Sequence, residues 1–286
     1  MELGLDPAEL DALLRRALAE DLGAGDCTTL GVGVDRIPGK AVIEAQQPLV
    51  VAGLSAATRV FALLEPSVEV SLRAADGDRV ERGAELARIA GSFGTLLAGE
   101  RVALNLLGHL SGIATLTRRF ADAVAGTRAH VVDTRKTLPG LRMLAKYAVR
   151  MGGGRNHRIG LFDAVLIKNN HIDAAGGIAA ALGRIQASGA PRPIEIEVRN
   201  LDELDQALAF DPIPDWILLD NFDLAGLGEA VRRTAGRALL EASGGMSLER
   251  VAAVAATGVD RISVGALTHS APWADVHLVV ARETRS

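Results

Sequence analysis

From Val131 onward, short apolar runs alternate with longer helical stretches, and each run ends in a polar or glycine-rich group. Val131-Val132 leads into Asp133-Thr134-Arg135-Lys136, Val165-Leu166-Ile167 into Lys168, and Ile194-Glu195-Ile196 into Glu197. Trp216-Ile217-Leu218-Leu219 ends in Asp220, Leu239-Leu240-Glu241-Ala242 runs into Ser243-Gly244-Gly245, and Ile262-Ser263-Val264 into Gly265. From Val165 on, the repeat is roughly 22 to 29 residues, about one strand, one helix and two loops. That is the beat of a β/α barrel, whose chemistry gathers where the strands end.

The first half is patterned differently. Leu10, Leu13, Leu14, Ala17 and Leu18 form one stripe of a helix over Pro7 to Asp21. Asp26-Cys27-Thr28-Thr29 reads as a glycine-flanked turn. Apolar residues alternate or cluster over Lys40 to Gly53 and Val68 to Ala90, with Asp76-Gly77-Asp78 as a tight turn. A helix is expected from about Thr95 to Val124, interrupted only by Gly99, Gly108 and Gly112. The fold class is therefore α/β: an α+β domain with a small antiparallel sheet over 1–112, then a barrel over 113–273. The final segment, Trp273 to Ser286, is too short for another strand-helix unit and should pack back on the first domain, which 274–286 would join, or cap the barrel. The stretch around Asp76-Gly77-Asp78 also resembles half of a biotinyl or lipoyl carrier sheet. Val68 to Gly91 has no lysine to carry such a cofactor, so a scaffold sheet is the better reading.

Composition narrows the function. The 286 residues suffice for a large core, and with only 3% aromatic residues Ala, Leu and Val must fill it. A net charge of −4 argues against a general affinity for nucleic acid or acidic membranes, so any positive site must be a local concentration of Arg and Lys. The single cysteine, Cys27, excludes an intrachain disulfide and suits a reducing compartment. The acidic N-terminus does not read as a signal peptide, and no apolar run reaches the roughly 18 residues that span a bilayer. A soluble, cytoplasmic protein is expected.

Arg135, Lys136, Arg155, His157, Arg158 and Lys168 would place several cations at one barrel rim. Like charges repel, and such a cluster is tolerable only where an anion is expected; Arg suits carboxylate or phosphate through its planar fork. Glu197 and Asp220 end consecutive strands and should stand side by side, either as a Mg²⁺ site shared with a phosphorylated substrate or as partners of Lys168 and Lys136. Ser243-Gly244-Gly245 and Gly265-Ala266-Leu267 fit the phosphate site that barrels often carry after their late strands. His269 could orient a phosphate or merely cap its turn. Asn169-Asn170-His171 reads as a helix start.

At these residues the chain resembles the quinolinate phosphoribosyltransferases. The linked motifs are Gly25-Asp26-Cys27-Thr28-Thr29, Gly99-Glu100-Arg101, Gly108-His109-Leu110-Ser111-Gly112 and Asp133-Thr134-Arg135-Lys136-Thr137-Leu138-Pro139-Gly140. Gly152-Gly153-Gly154-Arg155-Asn156-His157-Arg158, Leu219-Asp220-Asn221-Phe222, Glu241-Ala242-Ser243-Gly244-Gly245 and Val264-Gly265-Ala266-Leu267-Thr268-His269-Ser270 complete the series. Asn169 stands where the family more usually has Asp, and Ala242 where Ser is common. The resemblance implies an N-terminal open α/β sandwich followed by an incomplete parallel β/α barrel, paired head to tail as a homodimer. It implies that Arg135, His157, Arg158 and Lys168 hold quinolinate, with Arg101 reaching in from the partner subunit. Phosphoribosyl pyrophosphate and its Mg²⁺ would lie near Lys136, Glu197, Asp220, Ser243 to Gly245 and Gly265 to Leu267, with Lys136, Glu197 and Asp220 catalytic; Thr134 and His269 are further candidates for substrate binding. The implied reaction yields nicotinate mononucleotide, CO₂ and pyrophosphate in de novo NAD biosynthesis.

Two other readings compete. A Schiff-base aldolase would use Lys168 as nucleophile, which leaves the anion cluster without a task. A binding or accessory protein could share the fold without the activity, against which stands every anion-binding position of the motif series.

Overall fold

The computed structural model describes residues 4–282, and the chain divides into two compact units. One runs to Arg118 and takes in Met143–Gly153 and the segment from Ala271; the other comprises Arg119–Arg142 and Gly154–Ser270.

In chain order the first unit begins with α1 (Pro7–Leu22), α2 (Cys27–Val32), β1 (Pro38–Ala45), β2 (Leu49–Val50), α3 (Leu54–Leu64), β3 (Glu69–Leu72), β4 (Arg79–Val80), β5 (Glu85–Ser92) and α4 (Phe93–Ala123). Asp6 caps α1 by accepting the Ala8 N–H, and Pro7 opens it where its missing N–H costs nothing. Leu14 and Leu18, from the expected stripe, are buried. Asp26-Cys27-Thr28-Thr29, expected as a turn, instead starts α2: the Asp26 carboxylate accepts the N–H groups of Thr28 and Thr29 and so caps a helix. Gly77 does make the turn, with φ +97.

A four-stranded sheet runs β12–β1–β5–β3, where β12 is Val276–Arg282. Val276–Arg282 is thus an edge strand antiparallel to β1, with Ile43 opposite Leu278; the rest of the expected terminal segment, 283–286, lies outside the described residues. The glycines of α4 allow close packing: an added Cβ would come within 2.7 Å of the Phe61 ring at Gly99, 2.3 Å of Trp273 Nε1 at Gly108 and 2.1 Å of the Pro272 carbonyl at Gly112.

The second unit follows the alternation expected of it. Its strands are β6 (His130–Val132), β7 (Val165–Ile167), β8 (Ile194–Val198), β9 (Trp216–Asp220), β10 (Leu239–Ser243) and β11 (Arg261–Ser263). They form one parallel sheet in the order β6–β11–β10–β9–β8–β7. Helices α6 (Asn169–Ala175), α7 (Ile178–Ala187), α8 (Leu201–Ala209), α9 (Leu224–Thr234) and α10 (Leu248–Ala256) connect β7 to β11 in turn, and α11 (Ala266–His269) follows β11, while α5 (Arg142–Met151) lies almost wholly within the first unit's Met143–Gly153 segment. No ladder joins β6 to β7 among the described residues, so the barrel is incomplete. Arg155 instead forms a parallel bridge to Val132 at that gap. Buried Ile196, Ile217, Leu219, Leu240 and Ile262 fill the strands and leave their C-terminal ends to the polar groups.

Candidate active site

A cavity of about 290 Å³ lies at the C-terminal ends of the six parallel strands. Thr134, Arg135 and Lys136 enter it after β6, His157 and Arg158 from the loop at the open seam, and Lys168 after β7. Glu197, Asp220 and Ser243 come from β8, β9 and β10. Every expected cation of the quinolinate set except Arg101 therefore lines one hollow, together with both acids.

The loops are braced from beneath. Asp133 is fully buried; its carboxylate accepts the Asn156 amide at 2.5 Å and the His157 N–H at 2.9 Å, fixing the seam loop against β6. Arg142 donates to Thr137 Oγ1 and to the Ile159 carbonyl, both at 3.1 Å. The Lys136 carbonyl accepts the Thr268 hydroxyl at 2.7 Å, and an added Cβ on Gly265 would lie 3.2 Å from Lys136 Cδ. Gly265, Ala266, Leu267 and His269 thus abut the Lys136 loop without lining the cavity themselves. Leu267 is buried, and His269 is exposed with Nδ1 2.6 Å from Ser270 Oγ. Gly244 and Gly245 both take positive φ, +101 and +56, making the turn after β10. Arg250 ties that turn down by donating to the carbonyls of Phe222 and Gly244. Asn169-Asn170-His171 does start a helix, and His171 Nδ1 accepts the Lys168 N–H at 2.9 Å. Arg101 belongs to the other unit, where it lines a separate hollow with Glu100, Leu104, Asn105 and Trp273.

The electrostatics call for ligands. Arg135 Nε is buried and has no hydrogen-bond partner. Burial, and then the neighbouring Arg135 charge, lower the pKa of Arg158. Glu197 is the mirror case: burial and then the Asp220 carboxylate raise its pKa, while Lys168 opposes the shift. Two desolvated cations want an anion, and two facing carboxylates want a cation.

Strand periodicity also points to a group at the cavity wall, of which His157 and Glu241 line the cavity while Glu195 and Arg261 do not. Glu241 shares a strand face with Ser243, Glu195 with Glu197, and Arg261 with Ser263, each two residues back from the rim. His157 Nε2 lies 3.1 Å from Glu195 and 3.5 Å from Glu241. The Arg261 guanidinium stacks 3.6 Å above the Trp216 ring and pairs with both glutamates, 2.7 Å from Glu195. Burial lowers the His157 pKa, but the bonds to Glu195 and Glu241 prevail and push it up to about 9. Nδ1 accepts the Arg158 backbone N–H at 2.7 Å. His157, Glu195 and Glu241 have the donor chemistry of a metal trio. Arg261, bridging both carboxylates, already supplies the countercharge.

Comparison with known proteins decides the family. The C-terminal domain model of quinolinate phosphoribosyl transferase matches residues 113–279 and the N-terminal domain model matches 26–111. The chain belongs to the quinolinate phosphoribosyl transferase family. It is 45% identical over 289 residues to the nicotinate-nucleotide pyrophosphorylase [carboxylating] of Mycobacterium leprae, covering 96% of this chain and 99% of that one. A probable nicotinate-nucleotide pyrophosphorylase [carboxylating] of Synechocystis is 44% identical, with 96% and 93% covered. Among solved structures, NadC from Streptococcus pyogenes superposes with a TM-score of 0.92 at 38% identity, covering 98% of this chain and all of that one. The family's fold, a mixed α/β chain with a parallel six-stranded sheet and an antiparallel one, is the fold found here.

Proposed function

We propose that the cavity at the barrel rim joins quinolinate to phosphoribosyl pyrophosphate and releases nicotinate mononucleotide, CO₂ and pyrophosphate, the decarboxylating step of de novo NAD synthesis. The observation that carries the reading is the buried, unpartnered Nε of Arg135 beside a desolvated Arg158. A planar dicarboxylate supplies what these forks lack, and quinolinate, a dianion, fits such a cluster better than singly charged nicotinate does. Lys168 adds a third charge at the rim. The His157 ring lines the same hollow, with its Nδ1 2.7 Å from the Arg158 backbone nitrogen, and so holds Arg158 toward the same carboxylates.

Lys136, Thr134 and the Ser243–Gly245 turn would receive the phosphates of the second substrate, with Gly265–Leu267 and His269 holding the Lys136 loop in place. Glu197 and Asp220 fit a Mg²⁺ ion: two hard oxygen ligands on adjacent strands, with mutual repulsion that a cation relieves. Such an ion, when bound, neutralises charge on the departing pyrophosphate. The two carboxylates also favour positive charge developing on the ribosyl carbon. As the ring nitrogen bonds to that carbon, the C–O electrons leave with pyrophosphate and the ring becomes a pyridinium. The bond from C2 to its carboxylate then breaks, CO₂ departs, and the electron pair left on C2, stabilised by the adjacent positive nitrogen, takes up a proton.

Arg101 would complete the site from a second copy in a homodimer; its place outside this chain's own cavity lining is consistent with that. No described helix is long and apolar enough to cross a membrane. Calorimetric titration tests the substrate assignment: quinolinate should bind at least tenfold more tightly than nicotinate, one lost charged pair being worth about that. Equal affinities would refute it.

A further inference from the structure

The quartet His157, Glu195, Glu241 and Arg261 is not needed to close the barrel. Four partially or fully buried ionisable groups in one layer cost more than the apolar packing found elsewhere in the core, and such layers persist where they fix a geometry. Their placement is specific. The four come from four different segments: the seam loop, β8, β10 and β11. Both carboxylates converge on the same nitrogen of one ring, Nε2, which leaves the Nδ1 edge turned toward Arg158 at the cavity wall. Arg261 has its plane set by Trp216 and reaches both glutamates, so neither carboxylate can swing away. The Arg261 Nη2 to His157 Nε2 distance of 3.3 Å closes the ring of contacts.

We propose that Glu195, Glu241 and Arg261 are positioning residues for dianion recognition: they lock the His157 ring at the cavity wall, and its Nδ1, 2.7 Å from the Arg158 backbone nitrogen, fixes where Arg158 meets the substrate carboxylates. Glu241 lines the cavity, but its carboxylate repels a dianion and does not bind one. Glu195 and Glu241 act through Nε2 of His157, and Arg261 acts through the two glutamates. The inference rests on the reading of the cavity as a quinolinate site. Discrimination for two adjacent carboxylates is then set by this buried layer as well as by Arg135, Arg158 and Lys168 at the rim.

The test uses the full chain and the isosteric variants Glu195→Gln and Glu241→Gln. Each should raise the quinolinate dissociation constant and KM about tenfold or more, as expected for losing a charge-assisted hydrogen bond. The constants for phosphoribosyl pyrophosphate should stay within about twofold, because its cradle has other supports. Histidine ring ¹⁵N spectra supply the readout that a merely structural role would not move. The His157 signals, assigned with a His157→Asn spectrum, should shift in both variants, and in the unmodified protein the Nδ1 signal should move when quinolinate is added. The last measurement holds even if a variant fails to fold. Wild-type protein that does not bind quinolinate would overturn the functional reading itself. Wild-type protein that binds it, with unmoved His157 signals or with equal losses for both substrates in the variants, would overturn the positioning proposal alone.

Discussion

Gly244→Ala should be among the most damaging single-methyl changes in the second unit. Gly244 has φ +101, a conformation that costs an L-residue about 1–2 kcal/mol. A Cβ there would also lie 2.1 Å from Asn221 Oδ1 and 3.0 Å from Asn221 N. Asn221 cannot simply retreat: its own φ is +58 and its N–H is held by the Ser243 carbonyl at 2.9 Å. Overpacking of this kind adds about 1–3 kcal/mol, for a total of about 2–5 kcal/mol, a large fraction of an ordinary domain's stability. Urea unfolding followed by circular dichroism measures the loss. The double variant Gly244→Ala with Asn221→Gly removes the side-chain clash and relieves the neighbour's positive φ, so about 1–3 kcal/mol should return while the backbone strain at position 244 stays. A single variant within about 0.5 kcal/mol of the parent, or no recovery in the double, would refute the argument that this turn is sterically fixed.

Three further outcomes are expected. Glu197→Gln should lower kcat by about 100-fold or more and raise the Mg²⁺ concentration needed for half-maximal rate, because one of two hard ligands is neutralised; an unchanged Mg²⁺ dependence with altered quinolinate affinity would reassign the residue. Arg101→Ala and Lys136→Ala should each be inactive, yet mixing them with subunit exchange should restore partial activity; no rescue in confirmed hybrids would remove Arg101 from the neighbouring site. The His157 pKa rises from the usual 6.5 to about 9 on folding. Its stabilising contribution, of order 3 kcal/mol, is therefore fully present below pH 6.5 and lost as pH rises through about 9. Stability measured across that window should fall in the parent and stay flat in His157→Asn.

The barrel was legible because buried parallel strands are short, apolar and regularly spaced, and because each run ends in a group that is costly to bury. The expected runs are β6 to β11 to within two residues at either end. Less legible were features set by distant partners. Asp26 looked like a turn residue because a helix cap and a turn use the same side-chain acceptor. The place of Val276–Arg282 depended on pairing with β1, more than two hundred residues earlier, and nothing local in that run announces the partner. In the site, Arg135, Lys136, Lys168, Glu197 and Asp220 stood out as charges at strand ends. Glu241 and Arg261 did not, because one hides inside an apolar run and the other precedes one. Only the two-residue strand period, applied backward from Ser243 and Ser263, puts them on the inner face.

Incubating the protein with quinolinate, phosphoribosyl pyrophosphate and Mg²⁺, and following CO₂ together with the nucleotide product, shows whether the cavity carries out this reaction. One CO₂ and one pyrophosphate are expected for each nicotinate mononucleotide formed. Folded protein that gives no CO₂, or a nucleotide that keeps both carboxylates, would contradict the assignment.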